Sequence, residues 1–86
     1  MGRLNPFSLQ MQITRMFEQG QSFFAPPRVE AWLREHNHNP SDYEILFHQE
    51  VAPPGASSPI QVRIELRRRD GQPVDEWLQA EVNRQS

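Results

Sequence analysis

Apolar residues recur with a helical period at both ends of the chain and with a period of two in its middle. Leu9, Ile13, Met16 and Phe17 fall at i, i+4, i+7 and i+8, one stripe of a helix. The helix opens at Asn5-Pro6, where Asn5 or Ser8 can cap and Pro6 lacks only a donor the first turn does not use. Gly20 is its natural stop. Ser22 to Pro27 reads as a bend carrying two exposed aromatics, Phe23 and Phe24. Pro27 starts a second helix with Val29, Trp32 and Leu33 on its apolar face, and Asn37-His38-Asn39-Pro40 ends it.

From Tyr43 the side chains alternate. Tyr43, Ile45 and Phe47 face one way, and Glu44, Leu46 and His48 the other. Residues 52–59 are rich in Pro, Gly and Ser and read as a loop. Ile60, Val62, Ile64 and Leu66 then alternate with Gln61, Arg63, Glu65 and Arg67, a strand with one dry and one wet face. Asp70-Gly71 turns the chain, and Pro73 opens a last helix whose inner face is Val74, Trp77, Leu78 and Val82.

These elements predict a small α+β domain over 8–86, of order α-α-β-β-α, behind a loose leader over 1–7. Its antiparallel β-hairpin is packed on one face by helices. Trp32 and Trp77 are assigned to the core. Val-x-x-Trp-Leu occurs twice, at 29–33 and 74–78, as expected of two helices that pack on one sheet. The element order resembles part of the KH topology, which implies single-strand binding through a Gly-x-x-Gly loop. The corresponding segment, 19–23, has only Gly20, so no binding residue is carried over.

A two-stranded sheet leaves two edges, and strand 60–66 is long, regular and free of Pro. It is expected to pair with a second copy, with a partner strand, or with a third strand near Phe23. The first helix and the bend add a dense apolar load. The expected partner-binding residues are Met16, Phe17, Phe23, Phe24, Ile60, Val62 and Ile64. The bland reading of the helix and bend residues is core, and that of the strand is an edge kept solvated by Glu65 and Arg67-Arg68-Arg69.

Composition narrows the chemistry. The 86 residues contain no cysteine, which removes thiolate sites and disulfides. All nine basic residues are Arg, so lysine chemistry is absent as well. Arg63, Arg67, Arg68 and Arg69 form a cluster that suits phosphates, but the net charge is −2. His36, His38 and His48, with Glu35 and Asp42, are the metal-ligand candidates, and helix-end caps are the simpler reading. His48, Glu44, Tyr43 and Arg67 are the residues a small ribonuclease would use. Asn5-Pro6-Phe7 matches a short peptide motif recognised by endocytic adaptor domains and is also explained as a helix start.

The expectation is a non-catalytic protein–protein interaction module: an adaptor, assembly factor or inhibitor, with a homodimer as one form. It needs no cofactor, metal or membrane and works in the cytoplasm. The alternative is nucleic-acid binding through the Arg-rich second strand.

Overall fold

The computed structural model describes residues 8–56 and 58–84. The expected leader and the Asn5-Pro6-Phe7 motif lie outside them. Three helices, α1 (Leu9–Glu18), α2 (Ala25–Glu35) and α3 (Glu76–Val82), surround a hairpin of β1 (Tyr43–Val51) and β2 (Ile60–Arg68). Single 3-10 turns, Ser22–Phe24 and Pro40–Asp42, precede α2 and β1. The predicted order α-α-β-β-α and the α+β class are those of the structure. Among the described residues no helix is long and apolar enough to cross a membrane.

Local chemistry sets the boundaries. The Ser8 hydroxyl accepts the Met11 N–H at 3.3 Å and caps α1. The second helix begins at Ala25, two residues before the expected Pro27, because Pro26 and Pro27 occupy a first turn that has no use for their missing donors. Asn37 ends it in the left-handed region at φ 66°, and the His38 N–H closes back on the Leu33 carbonyl at 2.8 Å. Asp75 caps α3 by accepting the Trp77 N–H at 2.8 Å, so that helix starts three residues after Pro73.

β1 and β2 pair antiparallel from Tyr43 opposite Arg68 to Val51 opposite Ile60. One face of the hairpin is dry. Val62, Ile64 and Leu66 lie there against Leu9 and Ile13 of α1, Val29, Trp32 and Leu33 of α2, and Leu78 and Val82 of α3. Ile45, Phe47, Met16, Phe17 and Val74 pack around this core without being fully covered.

The outer edge of β2 is closed, contrary to the expectation of an open strand. In an antiparallel pair, opposed residues turn their N–H and C=O groups either both toward each other or both away. Those of Val62, Ile64 and Leu66 turn away from β1, and both groups of Val62 and Ile64 and the Leu66 N–H meet side chains of α1 and α3. Val62 donates its N–H to the Thr14 hydroxyl at 3.1 Å and accepts from the Gln10 amide at 2.8 Å. Ile64 donates to Asn83 Oδ1 at 2.8 Å, and its carbonyl accepts from Gln79 at 2.7 Å and Asn83 at 2.8 Å. The Leu66 N–H reaches Gln79 Oε1 at 2.9 Å. Helix side chains thus stand where a third strand would, and satisfy groups that burial would otherwise orphan. Gln10 also donates to the Thr14 hydroxyl at 3.0 Å, which locks the pair.

The same hexapeptide pattern makes both halves of this clamp. Leu9-Gln10-x-x-Ile13-Thr14 and Leu78-Gln79-x-x-Val82-Asn83 each carry an aliphatic pair at i, i+4 beside a polar pair at i, i+4. The aliphatic pair enters the core and the polar pair, one position on, takes the strand edge. Gln10 and Thr14 are buried for this reason.

Trp77 is not in the core. It is 60% exposed, whereas Trp32 is 8% exposed. With Leu78 and Val82 facing inward and Gln79 and Asn83 facing the strand edge, no inner position of α3 remains for residue 77.

Candidate functional site

Among the described residues, closing β2 leaves one open strand edge, on β1. Ile45, Phe47 and Gln49 oppose Leu66, Ile64 and Val62, so their N–H and C=O groups also turn away from the hairpin. The sheet has no strand beyond β1 among the described residues. Among the described residues no side chain caps these groups as Gln10, Thr14, Gln79 and Asn83 cap the other edge. The side chains of Ile45, Phe47, Gln49 and Val51 share the face that carries the core. Phe47 is half-buried and meets Phe17 of α1 at a ring separation of 5.6 Å. Val51, at the end of the strand, is 90% exposed. An unpaired backbone ribbon is therefore flanked by an apolar shoulder of Phe17, Phe47 and Val51.

The expected partner-binding residues divide into four groups. Met16 and Phe17 lie at the end of α1, partly exposed, with Phe17 at the open edge. Phe23 and Phe24 are exposed as expected, their rings 4.3 Å apart on the turn before α2. Val62 and Ile64 are fully buried, with their outward backbone groups taken by α1 and α3, and neither offers a contact surface. Ile60 is half-buried opposite Val51, and its N–H is held by the Ser58 hydroxyl at 3.2 Å. The edge residues absent from the expected partner-binding set are Ile45, Phe47, Gln49 and Val51. Alternation showed that both strands were amphipathic, but not which one the helices would flank.

The outer face of the hairpin carries the charges. Glu65 accepts from His48 Nε2 at 2.6 Å and from Arg67 at 2.8 Å. The Arg67 bond, and then the His48 bond, hold the Glu65 carboxyl below its ordinary value. Arg63 donates to Glu50 at 3.2 Å, and Arg68 donates twice to Asp70 across the turn, at 2.7 and 3.1 Å. Three of the four guanidiniums in the expected phosphate cluster are thus bound to carboxylates. Arg69, on the turn after β2, is exposed. Between the edge of β2 and α3 lies a shallow groove of about 560 Å³, lined in part by Arg63, Glu65 and Glu76.

The histidines do not converge. His36 stacks on Trp32 at 3.9 Å and contacts the Trp32 carbonyl through Nδ1 at 2.8 Å. His38 meets Tyr43 edge-on at 6.2 Å, and His48 faces Glu65. Among the described residues no three metal-ligating side chains come together. The set His48, Glu44, Tyr43 and Arg67 is split by the sheet, because Tyr43 is buried in the core while His48 and Arg67 lie on the opposite face.

The turn after β2 gives a pH prediction. Asp70 is held down to about 2 from its ordinary value of 3.8, by Arg68 and then by the Gln72 N–H at 3.0 Å. A lowered carboxyl stabilises the fold above its unfolded value, and this contribution disappears as pH falls through the folded value. Asp70→Asn is expected to melt below the wild type near neutral pH. The two melting curves should converge between about pH 4 and about pH 2.

Searches against protein-family models, curated proteins and solved structures find no match to this chain.

Proposed function

We propose that the protein is a small non-catalytic interaction module that binds a partner protein by adding a strand to the open edge of β1. The observation that carries this reading is the contrast between the two edges. On β2 four helix side chains satisfy every outward group of Val62 and Ile64, whereas among the described residues nothing takes the outward groups of Ile45, Phe47 and Gln49 on β1. Strand addition draws affinity from such main-chain groups and specificity from the side chains beside them. Here those are Phe17, Phe47 and Val51. Native edge strands are commonly blunted by lysine, proline or a bulge. β1 carries none of the first two between Tyr43 and Val51 and pairs with β2 without interruption. A cytoplasmic adaptor, assembly factor or inhibitor is the role this surface suits. Phosphate binding has weaker support, because Arg63, Arg67 and Arg68 already hold Glu50, Glu65 and Asp70.

The test is a photo-crosslinking amino acid placed at Val51 in the cells that make the protein, with and without Gln49→Pro. The Gln49 N–H faces outward, so proline removes a donor for the partner without breaking the β1–β2 ladder. Protein adducts are expected from position 51 and are expected to disappear with Gln49→Pro. Adducts that persist unchanged, or no adduct, would contradict the reading. Adduct mass separates a second copy from a different protein.

A further inference from the structure

We propose that the occupant of the β1 edge is a second copy of this chain, paired antiparallel about a two-fold axis at Gln49. The inference rests on the strand-addition reading above and adds the partner and the register.

Symmetric antiparallel pairing must set outward-facing residues of one copy against outward-facing residues of the other. Charge and apolar matching then choose among the axes. An axis at Phe47 sets Glu44 against Glu50, and one at Glu50 sets Glu50 against itself. An axis at His48 sets His48 against itself and Leu46 against Glu50. Like charges directly opposed weaken a sheet, and the His48 axis also sets Phe47 against Gln49, which leaves that ring without an apolar neighbour directly opposite it.

Two axes avoid these oppositions. At Leu46, Glu44 faces His48 and Ile45 faces Phe47. At Gln49, His48 faces Glu50, Leu46 faces Ala52, and Phe47 faces Val51. Exposure decides between them. Ile45 and Phe47 are already packed against their own core, whereas Val51 is 90% exposed and the Leu46 axis leaves it so. The Gln49 axis lays Val51 of each copy beside Phe47 and Phe17 of the other. It also ends the ladder where Pro53, which has no N–H, would oppose Ile45. The product is one four-stranded sheet, of order β2-β1-β1-β2, with both outer edges closed by helix side chains. A two-stranded sheet is marginal alone, and four strands are a common size.

The test joins native mass to a cross-linking experiment. In sedimentation velocity the protein is expected at about twice 10.1 kDa, and Gln49→Pro is expected to lose the dimer while keeping its circular dichroism. The chain has no cysteine, so an introduced thiol is unique. His48 and Glu50 form a non-hydrogen-bonded pair across the proposed axis, the closer of the two pair types. A mixture of the His48→Cys and Glu50→Cys variants is therefore expected to form a disulfide dimer on mild oxidation, and neither variant alone should. Cross-linking of His48→Cys with Glu44→Cys instead would overturn the register. A wild-type monomer at all concentrations would overturn the second copy as occupant. The strand-addition reading fails separately, when position 51 gives no Gln49-dependent adduct to any protein.

Discussion

Replacing Gln10 by Leu and Thr14 by Val in one chain is expected to destabilise the fold by about 2–6 kcal/mol. Both substitutions keep size and add apolar character, so simple burial arithmetic predicts a gain. The loss arises at Val62. Its N–H bonds the Thr14 hydroxyl and its C=O accepts from Gln10, beneath a side chain with no exposure. With both partners gone, two buried backbone groups are left unpaired at roughly 1–3 kcal/mol each. A domain of this length has on the order of 4–13 kcal/mol in total, so the double variant is expected to be largely or partly unfolded at moderate urea. Urea denaturation followed by circular dichroism in dilute protein measures the effect. Gln72→Leu, which removes an exposed side chain outside the clamp, should stay within about 0.5 kcal/mol. An unchanged midpoint for the double variant would mean that the helix side chains do not close the β2 edge.

The two tryptophans are expected to separate just as widely. Trp32→Ala should cost about 3–5 kcal/mol, the range for removing a large aromatic from a core. Trp32 is 8% exposed, packs in the main cluster, and stacks with His36 at 3.9 Å. Trp77→Ala should change stability by about 0.5 kcal/mol or less, because that ring is 60% exposed on the first turn of α3. Thermal melts of the two variants against the wild type decide the matter. Equal losses would place Trp77 in the core after all.

Most of the framework was legible because apolar spacing and burial coincide in it. Leu9 and Ile13 on α1, Val29, Trp32 and Leu33 on α2, and the alternation from Ile60 to Leu66 all face the core as their periods require. Trp77 was misread because Val74, Trp77 and Leu78 complete an apolar stripe only if the helix begins at Pro73. Asp75 caps it at Glu76, and the inner places go to Leu78, Val82, Gln79 and Asn83. The β2 edge was misread because glutamine, threonine and asparagine count as outward residues in any hydropathy pattern. Here they are inward because they pair with backbone. The one signal that pointed to them was the repeated pattern of Leu-Gln, two spacers, an aliphatic residue and a short polar one at 9–14 and 78–83. The β1 edge became visible only once the placement of α1 and α3 along β2 was known.

Amide hydrogen exchange followed residue by residue over a range of protein concentrations tests most directly whether one sheet edge is closed by helices and the other by a partner copy. Val62, Ile64 and Leu66 are expected to exchange slowly at every concentration. Phe47, Gln49 and Val51 are expected to exchange fast in dilute protein and to become protected as the dimer forms. Fast exchange at Val62 and Ile64, or concentration-independent exchange at Phe47, Gln49 and Val51, would contradict it.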